Sequence, residues 1–567
     1  MASESVYDAI VVGSGAAGGI AAYVLATKGL NVLCLEAGRM LDPAQDFHPH
    51  KFPFEWQYRG NGKPGQYGKV PLGMEWKIKE WTDHLYTIPE EDPYAVAPGS
   101  KFTWTRLRAV GGRTNLWGRE VLRYGPLDFK AKSLQDGWGE DWPISYEDVE
   151  PYYDRVDRLI GVAGQDDQEV LNSPRGKNLL PPFRLRCGEM LLKKGAEKLG
   201  MKVVPKTLAV LSQPYDGRPA CHYCGACSHG CDVRARYCSA EVLIPKLTEL
   251  HNFTLRTNAA VHTVLMDGKT GRARGVTYID TQNKQEYEAY SKVVVLAASM
   301  VESIRILLNS KNREFPTGLA NSSGMLGHYV MDNVSNPVVR GFFPQLAGRP
   351  TTNDDGPGES SILIPRYNFG DKGKKKFLRG FQIDPHGGCG EGPGPGASLP
   401  GFGSSYKKRI KELYPASMSL TGQGEGLAFY SNYVEIDPAG LTDRLGIPQV
   451  RFHTNAEYDH AFAMLDEIYG QCEELLRAAG AEILPYKKVT PYPIGAITHE
   501  AGGCRMGDDP HTSVLDKWNR CHDVKNLLVV DASCYVTHPE KSITGTIMAL
   551  SYRACDHLAE EFRLGNV

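Results

Sequence analysis

Residues 7–18 read YDAIVVGSGAAG, and residues 31–36 read NVLCLE. The apolar run 7–12 has the composition of a strand buried on both faces. It enters a glycine-rich turn with no intervening polar residue. An alanine-rich helix is predicted from about Ala16 to Lys28, and a second strand over Asn31–Leu35. The turn has the spacing G-x-G-x-x-G at Gly13, Gly15 and Gly18. Gly13 permits the tight turn, Gly15 lets a pyrophosphate approach the backbone, and Gly18 lets the helix lie close to the strand. Ser14 and Ala17 belong to the same turn. The helix N-terminus offers free N–H groups and the positive end of its dipole to an anion. Glu36 ends the second strand, 21 residues after Gly15, where a carboxylate can take ribose hydroxyls. This strand–turn–helix–strand unit opens a doubly wound α/β fold.

The glycine spacing alone does not separate FAD from NAD. The run Glu36-Ala37-Gly38 and the N-terminal position suit FAD, and so do glycine-rich pieces far down the chain. Residues 108–118 read RAVGGRTNLWG, residues 499–507 read HEAGGCRMG and residues 526–533 read NLLVVDAS. With the N-terminal GSGAAGG and EAG, these pieces resemble the glucose–methanol–choline (GMC) oxidoreductases, and they span nearly the whole chain. The fold this implies is a discontinuous Rossmann-like FAD domain with an α+β substrate domain built on an antiparallel sheet. The expected division is 1–325 for the FAD domain with its insertions, 326–490 for the substrate domain, and 491–567 for the C-terminal return.

The resemblance implies roles for particular residues. Gly112, Thr114, Asn115 and Trp117 would lie along the flavin. Val261 would contact the adenine side, Ala298 would flank the phosphates with Ser299, and Asp531 and Ala532 would hold the ribityl chain and pyrophosphate. Thr544 would touch the pyrimidine edge, with Thr546 near it. Pyranose 2-oxidases carry a flavin-linked histidine where Leu116 stands here, so the FAD is expected to be non-covalent. His499 would face the flavin and take the substrate's hydroxyl proton. Hydride leaves carbon readily only as the oxygen becomes alkoxide-like, and an imidazole titrating near neutrality suits that step. The family's second catalytic position, usually His or Asn, falls in residues 537–546, THPEKSITGT. Ungapped alignment puts Ser542 there, able to donate one hydrogen bond to the substrate oxygen; His538 is the alternative.

Residues 221–231 read CHYCGACSHGC, placing Cys221, Cys224, Cys227 and Cys231 at the C-x2-C-x2-C-x3-C spacing of bacterial ferredoxins. Asp232 replaces the usual following proline. By resemblance to iron–sulfur glucose dehydrogenases, Cys221, Cys227 and Cys231 would ligate a [3Fe-4S] cluster, and Cys224 would be spare or complete a [4Fe-4S] cluster. A structural or disulfide role and a zinc site are the other readings of the same four thiols.

The 567 residues suggest two or three domains. Apolar residues make up 41%, charged residues 23%, and the net charge is −2, which excludes the basic face of a nucleic-acid binder. No run of 18 apolar residues occurs, so no membrane span is expected. The N-terminus lacks a signal-like segment, so the chain is expected in the cytoplasm, or in the periplasm if exported with a signal-bearing partner. Residues 389–405, rich in Gly and Pro, are expected to form a loop over the site or facing a partner.

The resemblance is nearest to large subunits of gluconate, fructose and glucoside 3-dehydrogenases. It implies an FAD-dependent dehydrogenase acting on a secondary or hemiacetal hydroxyl of a sugar, glycoside or polyol. A small subunit and a cytochrome c or quinone acceptor would be its partners. An FAD oxidase producing hydrogen peroxide from a sugar, sterol or alcohol is the alternative, and a non-catalytic flavin or iron–sulfur subunit is a third reading.

Overall fold

The computed structural model describes residues 6–567 apart from 49–50, 52–54, 59, 61–77, 88, 90–91, 167–173, 175, 226, 350–356, 358–360, 367–374 and 388–398. Most of the loop expected at 389–405 therefore lies outside the described residues. The stretch that follows it forms a helix, Gly403–Leu413.

The opening unit forms as its pattern predicts: strand Val6–Val12, helix Ala16–Thr27 and strand Val32–Leu35. Five strands run parallel, in the order Phe253–Arg256, Val32–Leu35, Val6–Val12, Glu286–Leu296, Leu527–Val529. Ala9 and Val11 face one core while Ile10 and Val12 face the other, and all four are buried. Two covered faces explain why the strand reads as an unbroken apolar run. Glu286–Leu296 changes partners along its length. Its last residues pair in parallel with the first strand, whereas Glu286–Tyr290 pair antiparallel with Arg272–Asp280. That strand pairs in turn with Ala259–Asp267, forming a meander at the edge of the sheet.

The first helix packs against Ser239–Thr248 and against Thr544–Arg563, which closes the chain. Its Ile20 and Leu25 are fully buried, each stabilising the fold by roughly 2 kcal/mol. The glycines set how close these layers come. A Cβ on Gly18 would lie 1.9 Å from the Gly13 carbonyl oxygen, and one on Gly19 2.1 Å from Ser239 Oγ.

A second, antiparallel sheet carries the order Phe381–Gly387, Ser417–Gly424, Val334–Phe342, Glu482–Ile483. The long helix Asp459–Ala478 covers one of its faces, burying Met464, Leu465, Ile468 and Leu475 against the strands. The strand Ser417–Gly424 alternates half-buried and buried residues. Met418, Leu420, Gly422 and Gly424 take the buried positions, while Ser417, Ser419, Thr421 and Gln423 border a cavity.

The two layers interleave along the chain. Helix Cys187–Lys198 packs its Leu192 and Ala196 with the second sheet, although it lies well before residue 326. Strands Tyr433–Ile436 and Val450–His453 pair beside Ala95–Val96, and Val434, Val450 and Phe452 join the core of the main sheet. Among the described residues, no helix is long and apolar enough to cross a membrane.

Gly18→Ala is expected to destabilise the protein by about 3 kcal/mol, because backbone rather than a movable side chain occupies the space. Urea unfolding monitored by circular dichroism reads this directly; an unchanged midpoint would contradict the packing described.

Candidate active site

Between the parallel sheet and the antiparallel sheet lies a cavity of about 970 Å³. Gly13, Ser14, Gly15 and Ala17 line one end of it, together with Glu36 and Val261. Gly13 has φ +95°, and a Cβ there would come within 2.5 Å of the Ala297 carbonyl oxygen. Above Gly15 the space is open, the nearest atom to an added Cβ being 3.9 Å away. No side chain caps the first helix at Gly15, so its leading N–H groups face the cavity as an anion site.

Ser14 ties three segments together. Its N–H and hydroxyl donate to Glu36 Oε2 at 3.0 and 2.6 Å, and its Oγ accepts from Gly111 N–H at 2.9 Å. Glu36 Oε1 also accepts from Gly38 N–H at 2.9 Å. Burial pushes the Glu36 carboxyl above its ordinary pKa despite these bonds.

The 108–118 loop forms a short turn of helix, Gly112–Asn115, entered through Gly111 at φ +87°. A Cβ on Gly112 would lie 3.4 Å from Gly15 Cα, so the two glycine turns are stacked on each other. Gly112, Thr114, Leu116 and Trp117 border the cavity. Asn115 does not: its amide donates inward to Val110 O at 2.9 Å and Gly112 O at 2.8 Å, bracing the loop from within. Gly18 likewise serves packing rather than lining.

Ala298, Asp531, Ala532 and Thr544 all reach the cavity. The Asp531 carboxylate is turned away, accepting from the Ser303 hydroxyl and from both N–H and Oγ of Ser533. Thr546 is fully buried, its hydroxyl 2.6 Å from Tyr153 OH.

His499 faces the same cavity, opposite the stacked glycine turns. Its tautomer follows from a buried neighbour that no motif marks, Asn333. The Asn333 amide nitrogen donates to Pro539 O at 2.8 Å and Gly424 O at 3.1 Å. Those carbonyls fix the amide orientation, so its oxygen is the atom 2.9 Å from His499 Nδ1. An oxygen there requires a proton on Nδ1, which leaves the lone pair on Nε2. Asp332 holds the preceding turn through Gly495 N–H at 2.7 Å, and Thr498 sits at φ 66°. Arg113 of the glycine loop pairs with Glu500 at 2.7 Å and donates to Thr498 O at 3.3 Å.

The two candidates for a second catalytic group part company. His538 is fully buried, and its Nε2 donates to the His499 carbonyl oxygen at 2.6 Å. Burial depresses its pKa to about 4, so it is a neutral brace behind His499 rather than a cavity residue. Ser542 borders the cavity, but its hydroxyl donates to Glu120 Oε2 at 2.9 Å. In this structure the Ser542 proton is therefore held by a carboxylate at the cavity wall.

Glycine turn, acidic strand end, second glycine loop and histidine stand in one cavity, in the chain order of a known family. Residues 7–314 and 429–551 each match the GMC oxidoreductase family. The chain belongs to that family. It is an FAD-type oxidoreductase of CH–OH groups. The uncapped helix, the open space over Gly15 and the position of Glu36 fit the dinucleotide part of FAD, and Leu116 offers no nucleophile for a covalent link.

Among its GMC relatives is 2-methyl-1,2-propanediol dehydrogenase of Mycolicibacterium austroafricanum, 30% identical over 98% of this chain and 95% of that one. The fructose dehydrogenase large subunit of Gluconobacter japonicus is 28% identical, covering 98% of each. The crystal structure of pyridoxine 4-oxidase from Mesorbium loti superposes with a TM-score of 0.63 at 18% identity, over 98% of this chain and 99% of that one.

The cysteine segment lies beside the glycine loop. Cys221, Cys224, Cys227 and Cys231 are unbridged thiols. Among the described residues, no three His, Cys, Asp or Glu side chains gather closely enough to hold a metal ion. Cys221 and Cys231 pack on a small apolar core with Phe183 and Leu211, whereas Cys227 borders the cavity. Burial pushes the Cys221 thiol up to about 12. The Cys221 thiol also feels Cys227, Cys224 and Cys231 as electrostatic neighbours, so the four side chains share one region of the surface. The segment is bridged to the glycine loop, since Arg236 donates to the carbonyls of both Cys227 and Asn115.

His538 makes stability pH-dependent. The unfolded chain takes up this proton near pH 6.5, while the folded one resists until about pH 4. The contribution is intact above pH 6.5 and is lost as pH falls towards 4. His538→Gln should therefore keep about 2 kcal/mol more of its neutral-pH stability at pH 4.5 than the parent. Denaturant titrations at the two pH values would show it, and parallel losses would refute it.

Proposed function

We propose that this chain is an FAD-dependent dehydrogenase that oxidises a secondary or hemiacetal hydroxyl of a sugar, glycoside or polyol to a carbonyl. His499 is its base. The observation that carries this reading is the Asn333–His499 contact, which sets the tautomer of a histidine that lines the cavity together with both glycine turns.

When bound, FAD supplies a hydride-accepting ring. The chain's own residues prepare the alcohol. His499 Nε2 accepts the hydroxyl proton, and the resulting imidazolium is stabilised through its Nδ1–H to Asn333 Oδ1. His538 and Asp332 hold the backbone that carries it. Hydroxyls and an amide of the second sheet, Ser335, Ser419, Thr421 and Gln423, face the same space and suit a substrate rich in hydroxyl groups. The names of the diol and fructose dehydrogenases among the relatives support that substrate class.

Electrons would leave for a cytochrome or quinone. The relative named as a large subunit supports assembly with a smaller one.

His499→Ala should retain FAD yet slow anaerobic flavin bleaching by a reactive sugar or polyol by about 1,000-fold. Asn333→Ala should cost about 10- to 100-fold, with a shifted pH profile, because a second tautomer becomes available. Stopped-flow absorbance measures both, and bleaching at the parental rate in His499→Ala would overturn the reading. Turnover with a quinone or dye acceptor should exceed peroxide formation in air; the reverse order would make the chain an oxidase.

A further inference from the structure

Four residues from four separate segments meet at the cavity wall. Glu120 follows the glycine loop, Lys206 follows a short strand, Asp384 lies on the second sheet, and Ser542 precedes the last helix. Lys206 forms an ion pair with Glu120 and another with Asp384 at 3.0 Å. Its side chain is 1% exposed and stands behind the wall, while Glu120, Asp384 and Ser542 border the cavity.

One buried ammonium lies between two carboxylates, and removing either would leave the cation underpaired. Ionised carboxylates only accept hydrogen bonds. The Ser542 proton is committed to Glu120, so its Oγ also offers only lone pairs. An all-acceptor wall is unsuited to the oxygen being oxidised, which gains negative charge as its proton leaves. It suits a hydroxyl that keeps its proton.

We propose that Ser542, Glu120 and Asp384, charged through Lys206, bind a second hydroxyl of the substrate and so select diols and polyols over monohydric alcohols. This rests on the alcohol-oxidising reading of the same cavity and deepens it. The selection is chemical: a substrate lacking the second O–H leaves desolvated acceptors without a donor. A hydrogen bond to a charged group corresponds to a discrimination of about 30-fold.

The test uses the full-length holoenzyme and three probes: isopropanol, glycerol and D-sorbitol. Second-order rates of anaerobic flavin bleaching are compared in the parent, Ser542→Ala and Glu120→Gln. FAD content and melting temperature are recorded for each variant. The better polyol should exceed isopropanol by about 30-fold in the parent. In both variants that ratio should fall to within about 3-fold, as polyol rates drop toward the isopropanol rate. Ser542→Ala removes only a hydroxyl, which keeps the test available if Glu120→Gln unfolds by stranding Lys206. Equal rates for the three probes in the parent overturn the proposal, as does a ratio preserved in Ser542→Ala. Such results leave the function of His499 standing, whereas His499→Ala should slow all three probes alike. Bleaching by none of the probes overturns both readings.

Discussion

A buried amide must place two donors and one acceptor, and at Asn333 each placement carries a structural consequence. Its donors join a strand of the second sheet, through Gly424, to the C-terminal segment, through Pro539. Its acceptor holds His499. The same side chain therefore fastens the layers and decides which imidazole nitrogen carries the proton. An unpaired amide group at such depth costs about 1–3 kcal/mol, so register between the layers and the state of the histidine are enforced together. His538 extends the constraint from behind, as a neutral ring bonded to the His499 carbonyl.

Charge is handled in a similar way around the cavity. Lys206 stands between Glu120 and Asp384, and Lys541 stands between Asp128 and Glu540 at 2.9 Å from each. Such groups add little net stability relative to apolar packing, but removing one partner strands the others. They cross-link segments far apart in sequence around a cavity that must stay open.

The doubly wound sheet was legible because its strands are covered on both faces, and its glycines sit where added side chains would meet backbone. Gly13 and Gly18 mark themselves in this way. That His499 and the second glycine loop border one cavity was legible through family resemblance in short motifs. Asn333 was not, because nothing in the spacing of the run MDNVSNPVV separates it from Asn336 or gives it away. The direction of the Ser542 hydrogen bond was hidden too, since it depends on Glu120, more than four hundred residues earlier. The apolar contacts of Cys221 and Cys231 were hidden as well, because cysteine spacing along the chain does not describe the small core they pack on.

The strand Ser417–Gly424 divides its labour by parity. Gly422 and Gly424 admit Ile468 and Met464 so tightly that a Cβ would lie 2.2 and 2.0 Å from them. Their neighbours Thr421 and Gln423 border the cavity. A substitution at Thr421 or Gln423 would therefore change the cavity lining without entering the helix contact, whereas a side chain at Gly422 or Gly424 would meet Ile468 or Met464 and force the helix away from the sheet.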